Sequence, residues 1–460
     1  MKYREEQDTM GTVRVPEAAY YGAQTQRAKD NFTISDLRFP RLFYNALGLI
    51  KKHAARVHRD LGLIEEGIAN AVIQASNEVI HGKFNDQFVV DVFQTGSGTS
   101  TNMNINEIIS GRANEILTGK RGGKTPVHPN DHVNKGQSSN DVIPSAIHIA
   151  AMMGIAEDLI PAMQDLRRQF EEKAEEFNGI RKIARTHLQD AVPMRLGQEF
   201  SGYARQVENS ISRIKDTSGR LCALPLGGTA VGTGVNAYPG FAERVIEGIS
   251  EETGYPFQEA PNHFEAQAAK DTAVEVSGAL KTYAVGLIKI ANDIRWLASG
   301  PRCGLGEITL PDLQPGSSIM PGKVNPVVPE AVLQVAGQVI GNDAAITHGG
   351  QAGNFELNVM MPLIAYNLLQ SVQLLASSSR LFANRCVKGI SANREQCVSN
   401  LEKSLSLATA FVPVIGYDQS AFVAKEAHRT GKTVRETAKE MELLPNDRID
   451  RILDDMIAGK

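Results

Sequence analysis

The middle of the chain carries apolar residues at the spacing of long helices. The clearest series alternates steps of four and three residues: Val276, Leu280, Tyr283, Leu287, Ile290, Ile294 and Leu297. This spacing is the seam of a helix that packs along its whole length, and Ser299-Gly300-Pro301 ends it. Similar patterns predict further helices over 152–170, 195–216, 327–341 and 361–385. Pro161 lies inside the first of these patterns and predicts a kink there.

Helices of this length are too long to surround a compact core within one chain. A helix of about 25 residues spans about 40 Å, so such helices pack side by side as a bundle. The apolar positions left over on them favour bundling between subunits over a large monomeric bundle. The pattern therefore predicts a mainly α fold.

Changes of pattern along the chain indicate three domains. Residues 1–138 are predicted to form a mixed, mostly helical domain with short strand-like runs at GTVRVP and FTIS. Residues 139–389 hold the long helices of a central bundle domain. Residues 390–460 hold shorter helices broken by glycines, which predicts a small helical domain at the carboxyl terminus.

Composition and charge narrow the classes of partner. Hydrophobic residues make up 42% of the 460 residues and charged residues 22%, which is ordinary for a globular protein. Lys and Arg total 48 and Asp and Glu total 52, so the formal net charge is -4. This balance argues against nucleic acid or an anionic membrane surface as a partner.

The first residues and the cysteines bear on where the protein works. The start, MKYREEQDTMGTVRVP, is charged from its second residue and lacks the apolar core of a signal peptide. No uninterrupted apolar run approaches the length of a membrane span, so a cytoplasmic protein is predicted. The four cysteines, at 222, 303, 386 and 397, form no CxxC pair. Neither disulfides nor zinc or iron–sulfur ligation is expected from these spacings.

Four islands rich in glycine, hydroxyl and amide residues interrupt the helical patterns. They are QTGSGTSTNMN (94–104), HPNDHVNKGQSSNDV (128–142), RTHLQDAVP (185–193) and GSSIMPGKVNP (316–326). They are dense in neutral hydrogen-bond donors, contain one clear cation, Lys323, and lack aromatic residues. Such a set suits a small anion with several oxygens, and carboxylates are the obvious candidates. Taken singly, each island is more typical of a helix connection, and the interpretation as a site depends on all four occurring together.

The fourth island resembles a nucleotide phosphate loop only superficially. That motif needs four residues between its glycines and a Ser or Thr after the lysine. Five residues separate Gly316 from Gly322, and Val324 follows Lys323. Residues 299–326 instead hold five prolines and five glycines between two helical patterns. A long loop of this kind is typical of a functional lid.

The four islands, in this order, resemble the signatures of the fumarase/aspartase superfamily. The likeness covers essentially the whole chain, from YYGAQTQRAKDNF at Tyr20 onwards, and it is closest to the class II fumarases. Thr95-Gly96-Ser97-Gly98-Thr99, the HPND run and WLASGPRCGLGEI are fumarase-like. NPVVPE and NDHVN look more aspartase-like, so an aspartate ammonia-lyase remains the alternative. A helical binding protein that keeps a degenerate lyase scaffold is a second, non-enzymatic alternative.

The resemblance implies a fold, a reaction and a set of site residues. The implied fold has three domains and long helices that assemble into a 20-helix tetramer core, with each active site shared by three subunits. The implied reaction is metal-free and cofactor-free anti-addition of water to fumarate, giving L-malate. Ser317 is implied as the base and His187 as the group that acts on the leaving hydroxyl through a water molecule. Glu330 is implied to pair with His187 and to hold its charge and orientation. The implied substrate-binding residues are Ser97, Gly98, Thr99, Ser138, Ser139, Asn140, Thr186, Ser318, Lys323, Val324 and Asn325.

The resemblance also implies a second, non-catalytic dicarboxylate site. It maps onto His128, Pro129, Asn130 and Asp131. Family members usually have an arginine close by, and Thr125 stands at that position here. The second site therefore lacks a positive charge that family members usually have there.

Overall fold

The structure of the protein is a computed structural model that describes residues 2–459. Its α-helices in chain order are α1 (Ala23–Asn31), α2 (Arg41–Asp60), α3 (Glu66–Ile80), α4 (Thr99–Thr118), α5 (Ser139–Gly154), α6 (Ile160–Glu176), α7 (Leu196–Ser218), α8 (Phe241–Thr253), α9 (His263–Ala268), α10 (Asp271–Leu297), α11 (Val327–Gly350), α12 (Met361–Arg385), α13 (Arg394–Lys403), α14 (Val412–Ile415), α15 (Tyr417–Thr430), α16 (Val434–Glu440) and α17 (Asn446–Ala458). The mainly α prediction is confirmed.

Strands are short and occur in pairs. They are β1 (Tyr3–Asp8), β2 (Gly11–Pro16), β3 (Arg181–Thr186), β4 (Gln189–Arg195), β5 (Ala223–Leu224), β6 (Gln258–Glu259), β7 (Ile308–Thr309), β8 (Gly353–Asn354), β9 (Leu357–Asn358) and β10 (Ser391–Ala392). β1–β2, β3–β4, β8–β9 and β7–β10 pair antiparallel, and β5–β6 pair parallel. None of these two-stranded pairs builds a core of its own, so the helices provide it.

The strand prediction for GTVRVP is confirmed and the one for FTIS is wrong. Residues 11–16 form β2, which pairs along its whole length with β1. Residues 32–35 follow α1 without strand pairing. There the backbone N–H and the hydroxyl of Ser35 both donate to the buried carboxylate of Asp91. A side chain thus takes the hydrogen bonds that a neighbouring strand would have taken.

The long predicted helices are present, and one extends further than the pattern indicated. α7, α10 and α12 match their predictions closely, but α11 continues nine residues past the predicted end at 341. Asn342 and Asp343 are buried there. Asn342 Nδ2 donates to Ser371 Oγ on α12 at 3.0 Å, and Asp343 accepts from Ser277 and Lys281 on α10. These tertiary bonds satisfy polar groups that otherwise favour a helix end.

A change of helical winding precedes Pro161, where a kink was predicted. Residues Ile155–Leu159 form a π-helical turn between α5 and α6. Such turns interrupt the regular ladder of hydrogen bonds next to a proline. The continuous stretch Ser139–Glu176 is long and apolar enough, by length and composition, to cross a membrane. Its most apolar window has a mean hydropathy of 1.4 and is 72% buried inside the protein, as a core helix requires.

Two compact units share the described residues, each built from three stretches of chain. The first comprises the described residues of Met1–Pro161, Ser212–Ala284 and Ala336–Ala376; the second comprises those of Ala162–Ile211, Val285–Val335 and Ser377–Lys460. This grouping by contact does not test the domain boundaries predicted at 138/139 and 389/390, which stay a prediction. Within the second unit, Leu401, Phe411, Val423, Ile449 and Leu453 form an apolar cluster under the short helices α13 to α17.

Candidate active site

Five predicted site residues lie at the starts of two helices in the first unit. We call Ser97, Thr99, Ser138, Ser139 and Asn140 the donor cluster. α4 begins at Thr99 and α5 begins at Ser139. Thr99 Oγ1 lies 2.7 Å from Ser97 Oγ and 2.6 Å from Ser139 Oγ, so three hydroxyls form one chain. Two helix N-termini therefore converge with their hydroxyls, an arrangement suited to a carboxylate.

Glycines make this close approach possible. A Cβ at Gly96 would lie 1.9 Å from the backbone oxygen of Val359, so no other residue fits there without moving the chain. Gly98, the residue before α4, has φ of +70°, in the left-handed region that favours glycine. The backbone oxygen of Gly96 also accepts the N–H of Met361 at 3.1 Å. The turn that carries Ser97 is thus fixed by backbone contacts.

Ser138 and Asn140 are held in place by the buried carboxylate of Asp141 and by a loop. Ser138 Oγ accepts the N–H of Asn140, and Asp141 accepts the N–H of Ser138 in return, which forms a capping box. Asp141 also accepts the N–H groups of Gly227 and Thr229 at 3.0 and 3.1 Å. Burial raises the pKa of Asp141, and these N–H donors oppose the effect.

The loop that Asp141 binds is a functional candidate that the sequence analysis missed. Residues 226–236 read LGGTAVGTGVN, and Asn140 Nδ2 donates to the backbone oxygen of Ala230 in this loop at 2.8 Å. The glycine-rich composition was the available signal, because it matches that of the four islands. One N–H of Asn140 is therefore already used, and its Oδ1 accepts from Ser139 Oγ at 3.5 Å, which leaves the second N–H for a ligand.

The predicted second dicarboxylate site forms a single turn around His128. Pro129 to Val133 make a π-helical turn, and His128 Nδ1 accepts the N–H groups of Asn130 and Asp131, each at 3.2 Å. This geometry places the proton of a neutral His128 ring on Nε2. Asn130, Asp131 and Thr125 are exposed. The turn brings these residues together, and ligand binding there stays a prediction.

The third island is a β-hairpin of the second unit, where the sequence indicated only a polar helix connection. β3 and β4 pair up to Thr186 and Gln189, which leaves His187 and Leu188 as a two-residue turn. Their φ values are +58° and +60°. Asn and Gly usually occupy such turns, so two larger side chains in this conformation indicate backbone strain. The strain coincides with an exposed histidine, which is typical of a functional position.

A buried carboxylate forms an ion pair with an arginine of this hairpin. Glu307 is fully buried, and its two oxygens lie 2.6 and 3.1 Å from the guanidinium of Arg185, just before Thr186. Lys182 Nζ lies 3.3 Å from the same carboxylate, and Asn400 donates to it at 3.1 Å. Burial raises the pKa of Glu307, but the bond from Arg185 and the charge of Lys182 prevail and hold it below its usual value. Sequence patterns gave no sign of this pairing, since its members are far apart in the chain.

The fourth island is a loop closed by its own hydrogen bonds. The N–H of Gly316 donates to the oxygen of Lys323 at 2.7 Å, and Asn325 Nδ2 donates to the oxygen of Gly316 at 2.7 Å. Inside the loop, Ser317 Oγ accepts the N–H groups of Ile319 and Met320, at 3.2 and 3.0 Å. Two N–H donors on one hydroxyl oxygen favour its ionised form. We call residues 316–326 the Ser317 loop.

A cavity of about 620 Å³ lies beside the Ser317 loop. Its lining includes Lys323, Val324, Asn325 and Glu330, together with Trp296. Glu330 lies in the first turn of α11 and Lys323 is exposed. Two charged members of the predicted site, Lys323 and Glu330, therefore line one cavity of the second unit.

One predicted pairing is not made within the single chain. Among residues 2–459, no hydrogen bond or ion pair joins His187 to Glu330. Thr186 and Ser318, two of the predicted substrate-binding residues, are exposed to solvent. The described residues also contain no group of three or more His, Cys, Asp or Glu side chains arranged to hold a metal ion. The roles of these residues stay predictions.

Comparisons with known proteins agree with one another over nearly the whole chain. The family described as "Lyase" matches residues 11–341, and "Fumarase C C-terminus" matches residues 407–456. The class II fumarate hydratase of Nitrosomonas europaea is 54% identical over 449 residues, which cover 98% of this chain and 97% of that protein. This chain belongs to the class II fumarase family.

Further relatives of this class II fumarase family extend the agreement to structure. The mitochondrial fumarate hydratase of Homo sapiens is 53% identical over 450 residues, covering 97% of this chain and 88% of that protein. The crystal structure of class II fumarase from Schistosoma mansoni superimposes with a TM-score of 0.95 at 41% identity, covering 99% of this chain and 98% of that one. The resemblance stated from the four islands is thereby confirmed.

Proposed function

We propose that this chain is a fumarate hydratase, which adds water reversibly to fumarate to give L-malate. The observation that carries this proposal is the 54% identity to a class II fumarate hydratase over 98% of the chain. The donor cluster and the Ser317 loop supply matching chemistry, namely hydroxyl and N–H donors for carboxylates and an oxygen prepared to accept a proton. The relatives named above are all fumarases, which gives no support to the aspartate ammonia-lyase alternative.

Ser317 is the proposed base. In the malate direction it takes a proton from the carbon next to a carboxylate, and the electron pair moves into that carboxylate. A serine hydroxyl is a weak base, so its surroundings must favour the oxyanion. The N–H groups of Ile319 and Met320 point at Ser317 Oγ and provide two such donors.

The carboxylates of the substrate are proposed to bind the donor cluster, Gly98, Thr186, Ser318, Lys323, Val324 and Asn325. The carboxylate next to the reacting carbon gains negative charge during the reaction, so Lys323 and Asn325 of the loop lower the barrier when they are aimed at it. Hydroxyls linked at 2.6 and 2.7 Å are already ordered before substrate arrives. Lys323 brings a full positive charge, which strengthens its attraction to the developing charge.

His187 is proposed to assist the leaving hydroxyl through a water molecule, with Glu330 holding its charge and orientation. The hydroxyl leaves carbon 2 as water after accepting a proton, while carbon 3 gives its proton to Ser317. The turn at His187 and the Glu307–Arg185 pair beside it fix the backbone at the tip of the hairpin. A histidine on a fixed backbone loses less freedom when it engages substrate.

The active form is proposed to be a homotetramer in which three subunits contribute to each site. Large apolar side chains on the long helices support this assembly, since Val285 and Trp296 on α10 are each 53% exposed. Joining His187 and Glu330 of different subunits would supply the pairing that the single chain lacks. Dilution assays combined with native mass spectrometry test the assembly: activity that persists in a confirmed monomer contradicts it.

Three further properties are proposed from the family resemblance. Catalysis needs no metal or other cofactor, the protein acts in the cytoplasm, and the His128 turn binds a second dicarboxylate. Prolonged treatment with a chelator tests the first of these. Unchanged turnover is expected, and a strong loss that added metal restores would contradict it.

The reaction itself is tested by giving the purified protein L-malate and L-aspartate separately. The formation of fumarate is followed by its ultraviolet absorbance. Fumarate from malate alone is expected. Fumarate from aspartate alone would overturn the proposal in favour of an ammonia-lyase, and turnover of neither substrate would favour a binding protein.

A further inference from the structure

A buried lysine contacts the turn that precedes three of the five residues of the donor cluster. Lys51 is in the middle of α2 and is 0% exposed. Its Nζ donates to Asn134 Oδ1 at 2.9 Å and to Gln137 Oε1 at 3.0 Å. Gln137 directly precedes Ser138. A buried ammonium is costly, so its retention calls for a compensating role.

The acceptors of Lys51 organise the turn at residues 134–137. Asn134 Nδ2 donates to the backbone oxygen of Gln137 at 3.1 Å. Gln137 Nε2 in turn donates to the backbone oxygens of Val133 and Lys135, each at 3.2 Å. Both amides are therefore fully oriented, with their oxygens towards the lysine. Without the Lys51 side chain, Gln137 Oε1 would lose its donor and Asn134 Oδ1 would lose one of its two donors.

The same contacts reach the other helix of the donor cluster. Asn134 Oδ1 also accepts from Asn102 Nδ2 at 3.1 Å, and Asn102 is the fourth residue of α4, which begins at Thr99. Lys51 thus connects the turn before Ser138 with the first turn after Thr99. The distance of 2.6 Å between the hydroxyls of Thr99 and Ser139 depends on the relative position of these two helix starts.

Among the described residues, no carboxylate accepts a hydrogen bond from the ammonium group of Lys51. Asp141 on α5 acts on it through space, but its oxygens accept the three N–H groups of Ser138, Gly227 and Thr229. Burial lowers the pKa of His58 on the same helix and of His132, and the charge of Lys135 adds to both shifts. Glu252 on α8 is paired with Lys52 and His53, and Glu78 on α3 is paired with Arg112.

We propose that Lys51 is a positioning residue for the donor cluster, whose ammonium orders residues 134–137 and favours the binding of a dicarboxylate above them. This inference rests on the proposed function. Lys51 touches no substrate and acts through Asn134 and Gln137. Burial lowers the pKa of Lys51 to about 7, with the charge of Asp141 opposing the shift. The ammonium therefore exists below that pH and is lost as the pH rises through it, which gives the role a measurable signature.

The test is the pH profile of kcat/KM for fumarate in the full-length wild type, Lys51→Met, Lys51→Arg and Lys270→Met. The wild type should lose activity on an alkaline limb near pH 7. At pH values below that limb, Lys51→Met should have a kcat/KM about tenfold lower than the wild type, mainly because its KM is higher. Its own pH profile should show no alkaline limb. Lys51→Arg keeps a charge that does not titrate, so it should retain the activity and lose the limb.

Lys270→Met is the matched control. Lys270 is also buried, with a pKa lowered by burial to about 7, but it donates to the backbone oxygens of Ala266, Gln267 and Ala269. Its loss should leave the limb in place. An alkaline limb that persists in Lys51→Met or Lys51→Arg overturns the inference. A wild-type profile without an alkaline limb also overturns it, and this result does not depend on whether either variant folds. A wild type that turns over neither fumarate nor malate would instead contradict the proposed function.

Discussion

The donor cluster and the Ser317 loop are both rich in hydroxyl and N–H groups, but they are held in place in different ways. The hydroxyls of the donor cluster lie at the starts of two long helices, and buried groups such as Asp141 hold them from below. The Ser317 loop is closed by its own hydrogen bonds and exposes apolar side chains at its tip, with Ile319 85% exposed. The first region is therefore formed before any ligand arrives.

This difference indicates a division of labour. A fixed set of donors binds the ground state and the transition state alike, and so contributes mainly to KM. A base on a loop acts only when the loop brings it to the substrate, and so contributes mainly to kcat. Substitutions in the two regions should separate the two constants.

The largest expected effect comes from Ser317→Ala. Removing the proposed proton acceptor should lower kcat by about three orders of magnitude and change KM only modestly. Steady-state kinetics with malate measures both constants. Ser318→Ala, one residue further on, should mainly raise KM, because Ser318 is proposed to bind and not to take the proton. Comparable loss of kcat in both variants would remove the special role of Ser317.

The second largest effect is expected for Glu307→Gln, which should lower the stability of the hairpin that carries His187. The substitution leaves the guanidinium of Arg185 without its carboxylate, while Lys182 keeps Glu199 at 3.0 Å. Breaking a buried ion pair by removing one partner typically costs about 3 kcal/mol of stability. Chemical unfolding measures the loss. Glu171→Gln, which removes a carboxylate 52% exposed beside Arg167, is the control and should cost less than about 1 kcal/mol. Equal stabilities for the two variants would show that the buried cluster gives the hairpin no support.

The smallest effect is expected from Thr99→Val in the donor cluster. It removes the hydroxyl that links Ser97 to Ser139 and should raise KM about fivefold, since one hydrogen bond is worth about 1 kcal/mol. Thr118→Val at the far end of the same helix, where the hydroxyl bonds only backbone groups nearby, should leave KM unchanged. A large fall of kcat in Thr99→Val, with KM unchanged, would break the division of labour.

The sequence predicted the long helices well because their apolar periodicity is a local signal. α12 begins and ends at the predicted residues 361 and 385. The end of α11 was missed because the bonds that satisfy Asn342 and Asp343 come from other helices. Local patterns also gave no sign that Glu307 would pair with Arg185, 122 residues away.

The same limit applies to the candidate site. The islands gave the residue types, and the resemblance assigned their roles, but neither distinguished Lys51 from its neighbour Lys52. In the structure Lys51 is fully buried under the donor cluster, while Lys52 pairs with Glu252 at the surface. Only the packing of α2 separates the two. Supporting residues of this kind depend on tertiary structure and leave no motif.

The most direct test of the account is the fate of fumarate in deuterated water, followed by proton NMR. Anti-addition by one fixed base should place a single deuterium at carbon 3 of L-malate, in one configuration only. The wild-type protein is predicted to give that one product. Malate deuterated in both configurations, or no malate at all, would contradict the proposed hydration of fumarate at this site.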